Sequence, residues 1–365
     1  MLAPMHPPPM TTTSASRGMS GATIAPRMVC RLIAVSTFLS SKVNRYRTIR
    51  QSLSHRTSDR LPVPDMWQLG MGEERARVAV VGCGGAGCNV LRRVASPPNG
   101  VRIAMNDTAP PKLADVQTKI IVRADSLQAY ASMDEKAVQQ METDEEKEIS
   151  AALLDRDLIL ILGGLGGELG GWGMSLVGRV ARILGDTTLG FATIPFGIEG
   201  PIRRQLAEAQ LHLLQKRIDG VVTFGNDQLL QVAKDLPMTK AFAALSAIMA
   251  RPASDLAAAL ARPDVVPLRR MLARVRDWRY GMGVGREKHR CFVAVDEAYA
   301  SPWFTSVPEE IRHAIVLMSV LEPGNDEAEI LRDIRRRSPN VDMAWASLPR
   351  AEGDDRTVVQ IVAGL

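Results

Sequence analysis

From Arg77 onward, short apolar runs alternate with stretches whose apolar residues recur at helical spacing. Val78–Val81 is apolar at consecutive positions, a glycine cluster follows, and Asn89–Ala95 resumes at helical spacing before a second run, Val101–Met105. That order predicts a strand, a loop, a helix and a strand. A third strand is expected at Ile120–Val122 and an acidic helix over Glu142–Leu154. Leu158–Leu162 is apolar without interruption, the pattern of a strand buried on both faces of a parallel sheet. A second glycine cluster, Gly163–Gly173, opens a helix that runs to Leu184, and a strand reaches Thr193. Helix Ile202–Arg217, strand Gly220–Phe224 and helix Asp227–Lys234 repeat the alternation. The pattern specifies an α/β fold with a doubly wound, Rossmann-like parallel sheet.

The remainder reads differently. Residues 240–260 form one long Ala-rich helix, broken at Pro252 or entered anew after it, and the two prolines of Arg262-Pro-Asp-Val-Val-Pro267 predict a loop. Helix resumes over Leu268–Val275. Strands are expected near Cys291–Val295, Ala314–Val320, Asp342–Ser347 and Thr357–Val362, with a helix at Glu327–Arg337 and a hairpin-like turn at Glu352-Gly-Asp-Asp355. The expected division is a nucleotide-binding domain over 66–238, a central helix and connector over 239–278, and a smaller α+β domain over 279–365.

Composition is informative mainly at the N-terminus. The 365 residues are 46% hydrophobic and 23% charged, an ordinary globular balance. No apolar run approaches the length of a membrane span. The net charge of +5 is uneven: the first 64 residues carry nine Lys/Arg and one acid, leaving −3 for the other 301. A nucleic-acid partner is therefore not expected of the folded part. Residues 1–65 are rich in Pro, Ser, Thr and Arg, and read as disordered or as lying upstream of a true start at Met66 or Met71. A signal or transit peptide is the alternative there. Cys30, Cys83, Cys88 and Cys291 form neither a disulfide framework nor a metal set, so no metal site and a reducing, cytoplasmic setting are expected.

Gly82-Cys-Gly84-Gly-Ala-Gly87 sits between a strand and a helix, where residues lacking Cβ let backbone N–H groups approach a phosphate. Alone it suggests NAD and an oxidoreductase, with Asp107 placed for a ribose hydroxyl. A tight turn with close helix packing is the bland alternative. The second cluster, Gly163-Gly-Leu-Gly-Gly-Glu-Leu-Gly-Gly-Trp-Gly173, brings another glycine loop to the same sheet edge. A triphosphate tail uses two such loops, and no Walker lysine is present.

These residues carry a resemblance. Val80-Val-Gly-Cys-Gly-Gly-Ala-Gly-Cys-Asn89 resembles the first phosphate loop of the FtsZ/tubulin superfamily, and Gly163–Gly173 stands where the superfamily keeps Gly-Gly-Gly-Thr-Gly-Thr-Gly. Pro195-Phe-Gly-Ile-Glu-Gly200 with Arg203 is similar to its ribose segment, and Asn226-Asp-Gln-Leu-Leu230 to its base-proximal segment. Ala241-Phe242 and Tyr280-Gly-Met-Gly-Val-Gly285 also match, so the likeness covers about residues 77–365 and is closer to prokaryotic, archaeal-type FtsZ than to tubulin. It implies GTP or GDP as ligand, with Mg²⁺ carried by the nucleotide. Gly84, Gly85, Ala86 and Gly87 would cradle diphosphate beside Asn106, and Gly166, Gly167 and Gly170 would form the second cup. Glu199 and Arg203 would hold the ribose; Asn226 and Phe242 would frame the base. Filaments would grow head to tail, with hydrolysis completed by a neighbour's Asn-x-Asp-x-x-Asp loop.

Departures from the family pattern shape the expectation. The two Thr positions of the glycine signature become Leu169 and Gly171, one Gly becomes Glu168 and the last becomes Trp172. Leucine offers no hydroxyl to phosphate, and Glu168 is expected to point outward. The trans-acting loop keeps one carboxylate, Asp264; its Asn is Arg262 and its second Asp is Pro267. Arg262 is an alternative contact for a neighbour's phosphate. The family's guanine-pairing Asn or Asp is Ser246, and the loop that is glycine-rich in FtsZ reads Tyr130-Ala-Ser-Met-Asp134. No C-terminal docking peptide is expected after the last strand. The expected function is a cytoskeletal, FtsZ-like nucleotide-binding protein of cell division or cell shape, with weakened hydrolysis. The rival is a non-polymerising pseudo-GTPase module partnering an active FtsZ paralogue. His212, His289, His313, Trp278, Trp303, Trp345 and Arg335–Arg337 read as structural; Cys83 and Cys88, near a helix start, read as small packing residues whose pKa the helix could lower.

Overall fold

A computed structural model of the chain describes residues 66–108, 116–122, 144–233 and 237–365. The expectations for residues 1–65 and for Tyr130–Asp134 lie outside the described residues. In chain order the elements are β1 (Met66–Gln68), β2 (Val78–Cys83), α1 (Gly84–Leu91), β3 (Gly100–Asn106), β4 (Thr118–Ile121) and α2 (Asp144–Leu153). There follow β5 (Leu158–Gly164), α3 (Glu168–Leu184), β6 (Thr187–Ile194), α4 (Pro201–Arg217), β7 (Gly220–Gly225), α5 (Asn226–Val232), α6 (Met238–Ala259) and α7 (Val265–Arg274). The last are β8 (Asp277–Gly285), α8 (Arg290–Tyr299), β9 (His313–Ser319), α9 (Asn325–Arg337), β10 (Asp342–Ser347) and β11 (Thr357–Gly364).

All these strands join one sheet in the order β1-β10-β9-β11-β8-β7-β6-β5-β2-β3-β4. Only β11 runs antiparallel to its neighbours, β8 and β9. In the half spanning β4 to β7 the chain winds outward from β2 in one direction and from β5 in the other, so the topological switch lies between those two strands. Their apolar runs explain the placement: Val78–Val81 and Leu158–Leu162 are wholly buried and pair in register, Val78 opposite Leu158. The two halves of the sheet meet at β7 and β8 through Val221↔Asp277 and Val222↔Trp278. Among the described residues no helix is long and apolar enough to cross a membrane.

Several elements differ from the sequence expectation, each for a physical reason. Cys291–Val295 is part of helix α8, not a strand. Its buried residues are Cys291, Ala294, Val295 and Ala298, a helical period, while Phe292 and Val293 are exposed. The glycine-rich stretch before it is the interior strand β8, and α8 lies directly on it. A Cβ on Gly281 or Gly283 would stand 2.0 Å from the carbonyl oxygen of Ala298 or Ala294 respectively. Helix α6 continues through Pro252. The bond lost at proline is offset by its buried stripe of Ala241, Leu245, Met249, Ala253 and Leu256. The expected loop at 262–267 is a 3₁₀ turn, Arg262–Asp264, leading into α7. Pro267 is tolerated in the first turn because N–H groups there have no intrahelical partner. The turn at Glu352–Asp355 closes no hairpin, since β9 lies between β10 and β11. Helix α1 begins at Gly84, five residues earlier than its spacing suggested, and α3 begins at Glu168, inside the second glycine cluster.

Polar residues singled out in the sequence are mostly consumed by packing. Trp278 donates to the carbonyl of Val275 and Trp303 to that of Gly225. Arg337 at the end of α9 lies over the rings of Phe292 and Tyr299, 5.3 and 5.5 Å from their centres, and pairs with Asp296 and Asp333. It therefore clamps α9 to α8. The close seating of α8 on β8 predicts that Gly283→Ala lowers stability by about 3 kcal/mol, through overpacking against backbone. Gly85→Ala, whose Cβ meets nothing within 4 Å, should leave the thermal midpoint unchanged or raised. Paired calorimetric melts check both.

Candidate functional site

The switch point between β2 and β5 opens into a cavity of about 530 Å³ at the carboxyl ends of the strands. Both strands feed helices whose first turns face it. Neither α1, entered from Cys83, nor α3, entered from Gly167, receives a side-chain cap, so no side chain occupies their leading N–H groups at these positions. Two uncapped helix starts converging on one cavity attract an anion through donors and dipoles together. Close approach makes this possible: a Cβ on Gly170 would stand 2.2 Å from the carbonyl oxygen of Gly164. Gly84 takes φ +67, a left-handed conformation that favours glycine.

Of the residues expected at the site, Gly84, Gly85, Ala86, Asn106, Gly167, Gly170, Glu199, Arg203, Asn226 and Phe242 line this one cavity. Gly87 and Gly166 do not. Gly87 seats α1 against β5, where a Cβ would meet the Leu162 oxygen at 2.3 Å. The N–H of Gly166 donates to Gln210 Oε1 at 2.8 Å, and Gln210 Nε2 donates to the Gly167 carbonyl at 2.9 Å. Gln210 thus shapes the second glycine loop from α4. Sequence reasoning missed it, although a glutamine facing inward from a polar helix was the available signal. Asp107, Leu165, Leu169, Thr193 and Pro195 also line the cavity. Glu168 is exposed and Trp172 is buried, and neither lines it.

An aromatic side chain, Phe242, also lines the cavity. Phe242 is 45% exposed and meets Phe196 edge-on, ring centres 5.6 Å apart. Asn226, the first residue of α5, is 5% exposed and its Oδ1 has no hydrogen-bond partner. Buried amide oxygens are normally paired, and this one is an exception. Glu199 accepts the Phe196 N–H at 2.7 Å and pairs with Arg203 at 3.1 Å. The Ser246 hydroxyl turns away, donating to the Phe242 carbonyl at 2.7 Å.

Asp264 stands apart from the cavity lining. It is buried, and its Oδ2 accepts the N–H groups of Gly70 at 2.8 Å and Ala261 at 3.0 Å. It ties the segment after β1 to the α6–α7 connection. Arg262 pairs with Glu74 at 2.8 Å and lies 3.7 Å from Asp157. Thiol chemistry departs from expectation. Burial raises Cys83 well above the ordinary thiol range and pushes Cys88 up to about 11, overriding the helix start. Among the described residues no group of three His, Cys, Asp or Glu is arranged to hold a metal.

Comparison with known proteins finds relatives of this fold. Residues 77–234 match the Tubulin/FtsZ family, GTPase domain. "Cell division protein FtsZ 1" of Pyrococcus horikoshii is 29% identical over 304 residues, covering 80% of this chain and 82% of that protein. The structure titled "FtsZ dimer, empty (M. jannaschii)" superposes with a TM-score of 0.71 at 22% identity, covering 80% of this chain and 90% of that one. "CetZ2 from Haloferax volcanii - GTPgS bound protofilament" gives a TM-score of 0.60 at 14% identity, covering 79% and 92%. These likenesses establish a tubulin/FtsZ fold.

Two predictions follow from the site. Asp264→Ala should lower stability by about 3–6 kcal/mol, because it leaves two backbone donors without their acceptor, and Asp264→Asn should lose less; denaturant titration measures both. At pH 8 a thiol titrating near 11 is thiolate in about one molecule per thousand. Cys83 and Cys88 should therefore resist iodoacetamide in the native chain and be labelled once it is denatured, as peptide mass spectrometry reports.

Proposed function

We propose that this chain, a divergent FtsZ-like protein, binds GTP and GDP across its two glycine loops and self-associates head to tail, with hydrolysis weakened. The observation carrying the reading is the convergence of two uncapped helix starts on one cavity that Phe242 also lines. Phosphates would lie on the N–H groups of Gly84, Gly85 and Ala86, with Asn106 alongside and Gly167 and Gly170 opposite. Glu199 and Arg203 would flank the ribose, and Phe242 and Asn226 the base. A magnesium ion would arrive with the nucleotide and neutralise phosphate charge. The nucleotide-bound protofilament of the CetZ2 neighbour supports both ligand and assembly.

Weak hydrolysis follows from the state of the α6–α7 connection. Asp264 is spent on Gly70 and Ala261, while Arg262 and Pro267 occupy the other polar positions of the family loop. Without free carboxylates to polarise water, turnover should fall about 10²–10⁴-fold below a fully equipped relative. The same internal pairing, Arg262 to Glu74 included, favours a second reading: a non-polymerising module that binds nucleotide and partners an active FtsZ paralogue.

Calorimetry with GTP and GDP, joined to light scattering and electron microscopy, separates the readings. Nucleotide-dependent filaments support the first; tight binding with monomers only supports the second. Gly85→Glu introduces a carboxylate at a position that lines the cavity and where a Cβ meets nothing within 4 Å. It should weaken nucleotide binding at least about a hundredfold with an unchanged melting curve, through charge repulsion and occlusion. Unaltered affinity would mean that the phosphates lie elsewhere.

A further inference from the structure

One sheet runs through both halves of the molecule, but the join between them is short. β7 and β8 pair at two positions, Val221↔Asp277 and Val222↔Trp278, near the start of both strands. Farther along, β7 keeps its ladder with β6 as far as Ile194↔Gly225. On its other side, towards the cavity, side chains of the second half take over. Arg279 donates to the Thr223 hydroxyl at 3.2 Å, and the indole N–H of Trp303 donates to the Gly225 carbonyl at 3.0 Å. Gly225 ends β7 and immediately precedes the start of α5.

Trp303 stands in the loop between α8 and β9, and that loop is anchored in two cores. Phe304 belongs to the apolar cluster of α8, α9 and β9, with its ring 5.0 Å from that of Tyr299. Trp303, its neighbour in sequence, belongs to the other cluster, which includes β2, β5, β7 and α6, and lies 6.4 Å from Phe224. Both side chains are 5% exposed. Thr305 accepts from the same Arg279 at 3.0 Å. A partly buried carbonyl left without its donor is costly, so the corner between β7 and α5 is favoured where the indole meets it.

The corner is tied in turn to the cavity wall. Asp227, the second residue of α5, accepts the Gly197 N–H with both oxygens, at 3.0 and 3.1 Å. Gly197 lies between Pro195 and Glu199, and these two line the cavity. Trp303 and Asp227 do not line it. We propose that Trp303 is a positioning residue of the cavity: by holding the Gly225 carbonyl it sets the start of α5 and, through Asp227, the wall at 195–199. Ligand affinity then depends on how the second half of the sheet is seated. The functional consequence rests on the nucleotide-binding reading above. Coupling of this kind is reciprocal, so an occupied cavity also steadies the loop.

Hydrogen exchange and calorimetry on the full-length chain test the proposal. Trp303→Phe keeps an aromatic ring in the cluster and removes the N–H. Without ligand, peptides covering 195–200 and 224–230 should exchange faster, and the GDP dissociation constant should rise about three- to tenfold, as expected for one lost hydrogen bond. Tyr280→Phe is the control. Its hydroxyl donates to Gln360 at 3.0 Å and its ring packs on Phe224, so this change loosens the same aromatic group while Gly225 keeps its donor. Neither exchange at 195–200 nor GDP affinity should respond to it. Asp227→Ala cuts the path at its other end, and combined with Trp303→Phe it should weaken GDP binding no more than the stronger single change. Unchanged affinity in Trp303→Phe, equal effects in the control, or fully additive losses in the double variant would each overturn the proposal. If the native chain binds no GDP, the nucleotide reading fails; exchange at 195–200 in Trp303→Phe then decides by itself whether the loop positions the wall, and an unaltered rate there overturns it.

Discussion

The close seating of two helix starts on the ends of β2 and β5 is the constraint from which the rest of the molecule takes its shape. A backbone N–H can serve an anion only if nothing stands in front of it and the helix comes down onto the strand end. Gly87 and Gly170 satisfy the second condition, since any Cβ there would penetrate a carbonyl of β5 at 2.3 or 2.2 Å. The absence of a side-chain cap at Cys83 and Gly167 satisfies the first. Buried strands on either side hold the loops at fixed separation, and Gln210 braces the second from outside. The cavity is consequently a property of backbone placement, and it persists where side chains such as Leu169 have lost any capacity to donate.

Much of this was legible in the residues because local pattern and global fold coincide in the β2–β7 half. Continuous apolar runs at Val78–Val81 and Leu158–Leu162 announce buried parallel strands, and glycine clusters directly after them announce the site. Legibility fails where packing overrides pattern. The run Cys291–Val295 looks like a strand over five residues and declares a helix only when Ala298 is included. Tyr280–Gly285 lacks the bulk of a central strand because α8 supplies it. β1 is too short to signal itself, yet it pairs with β10 at the far edge of the sheet. Gln210 and the commitment of Asp264 depend on contacts between residues far apart in the chain, which no spacing encodes.

The segment after β1 gives the α6–α7 connection its character. It leaves β1, which is paired with β10, passes the carboxylate of Asp264 at Gly70, bridges Ala261 at Arg75, and enters β2. Exposed pairs such as Arg262 with Glu74 add little stability, about 0–1 kcal/mol each. The buried carboxylate is different, because each bond it accepts is charge-assisted and shielded from water.

That difference sets a magnitude for the cost of using Asp264 in a neighbour's active site. Drawing it out would forfeit two charge-assisted hydrogen bonds, about 3–6 kcal/mol in all. Spent on a reaction barrier, that is a factor of about 10²–10⁴ in rate. Under the proposed reading, a loop carboxylate that served no such donors would incur no loss, so an aspartate at this position is compatible with slow hydrolysis. Residue identity at this position therefore says less about catalysis than the two N–H groups of Gly70 and Ala261 that the carboxylate already serves.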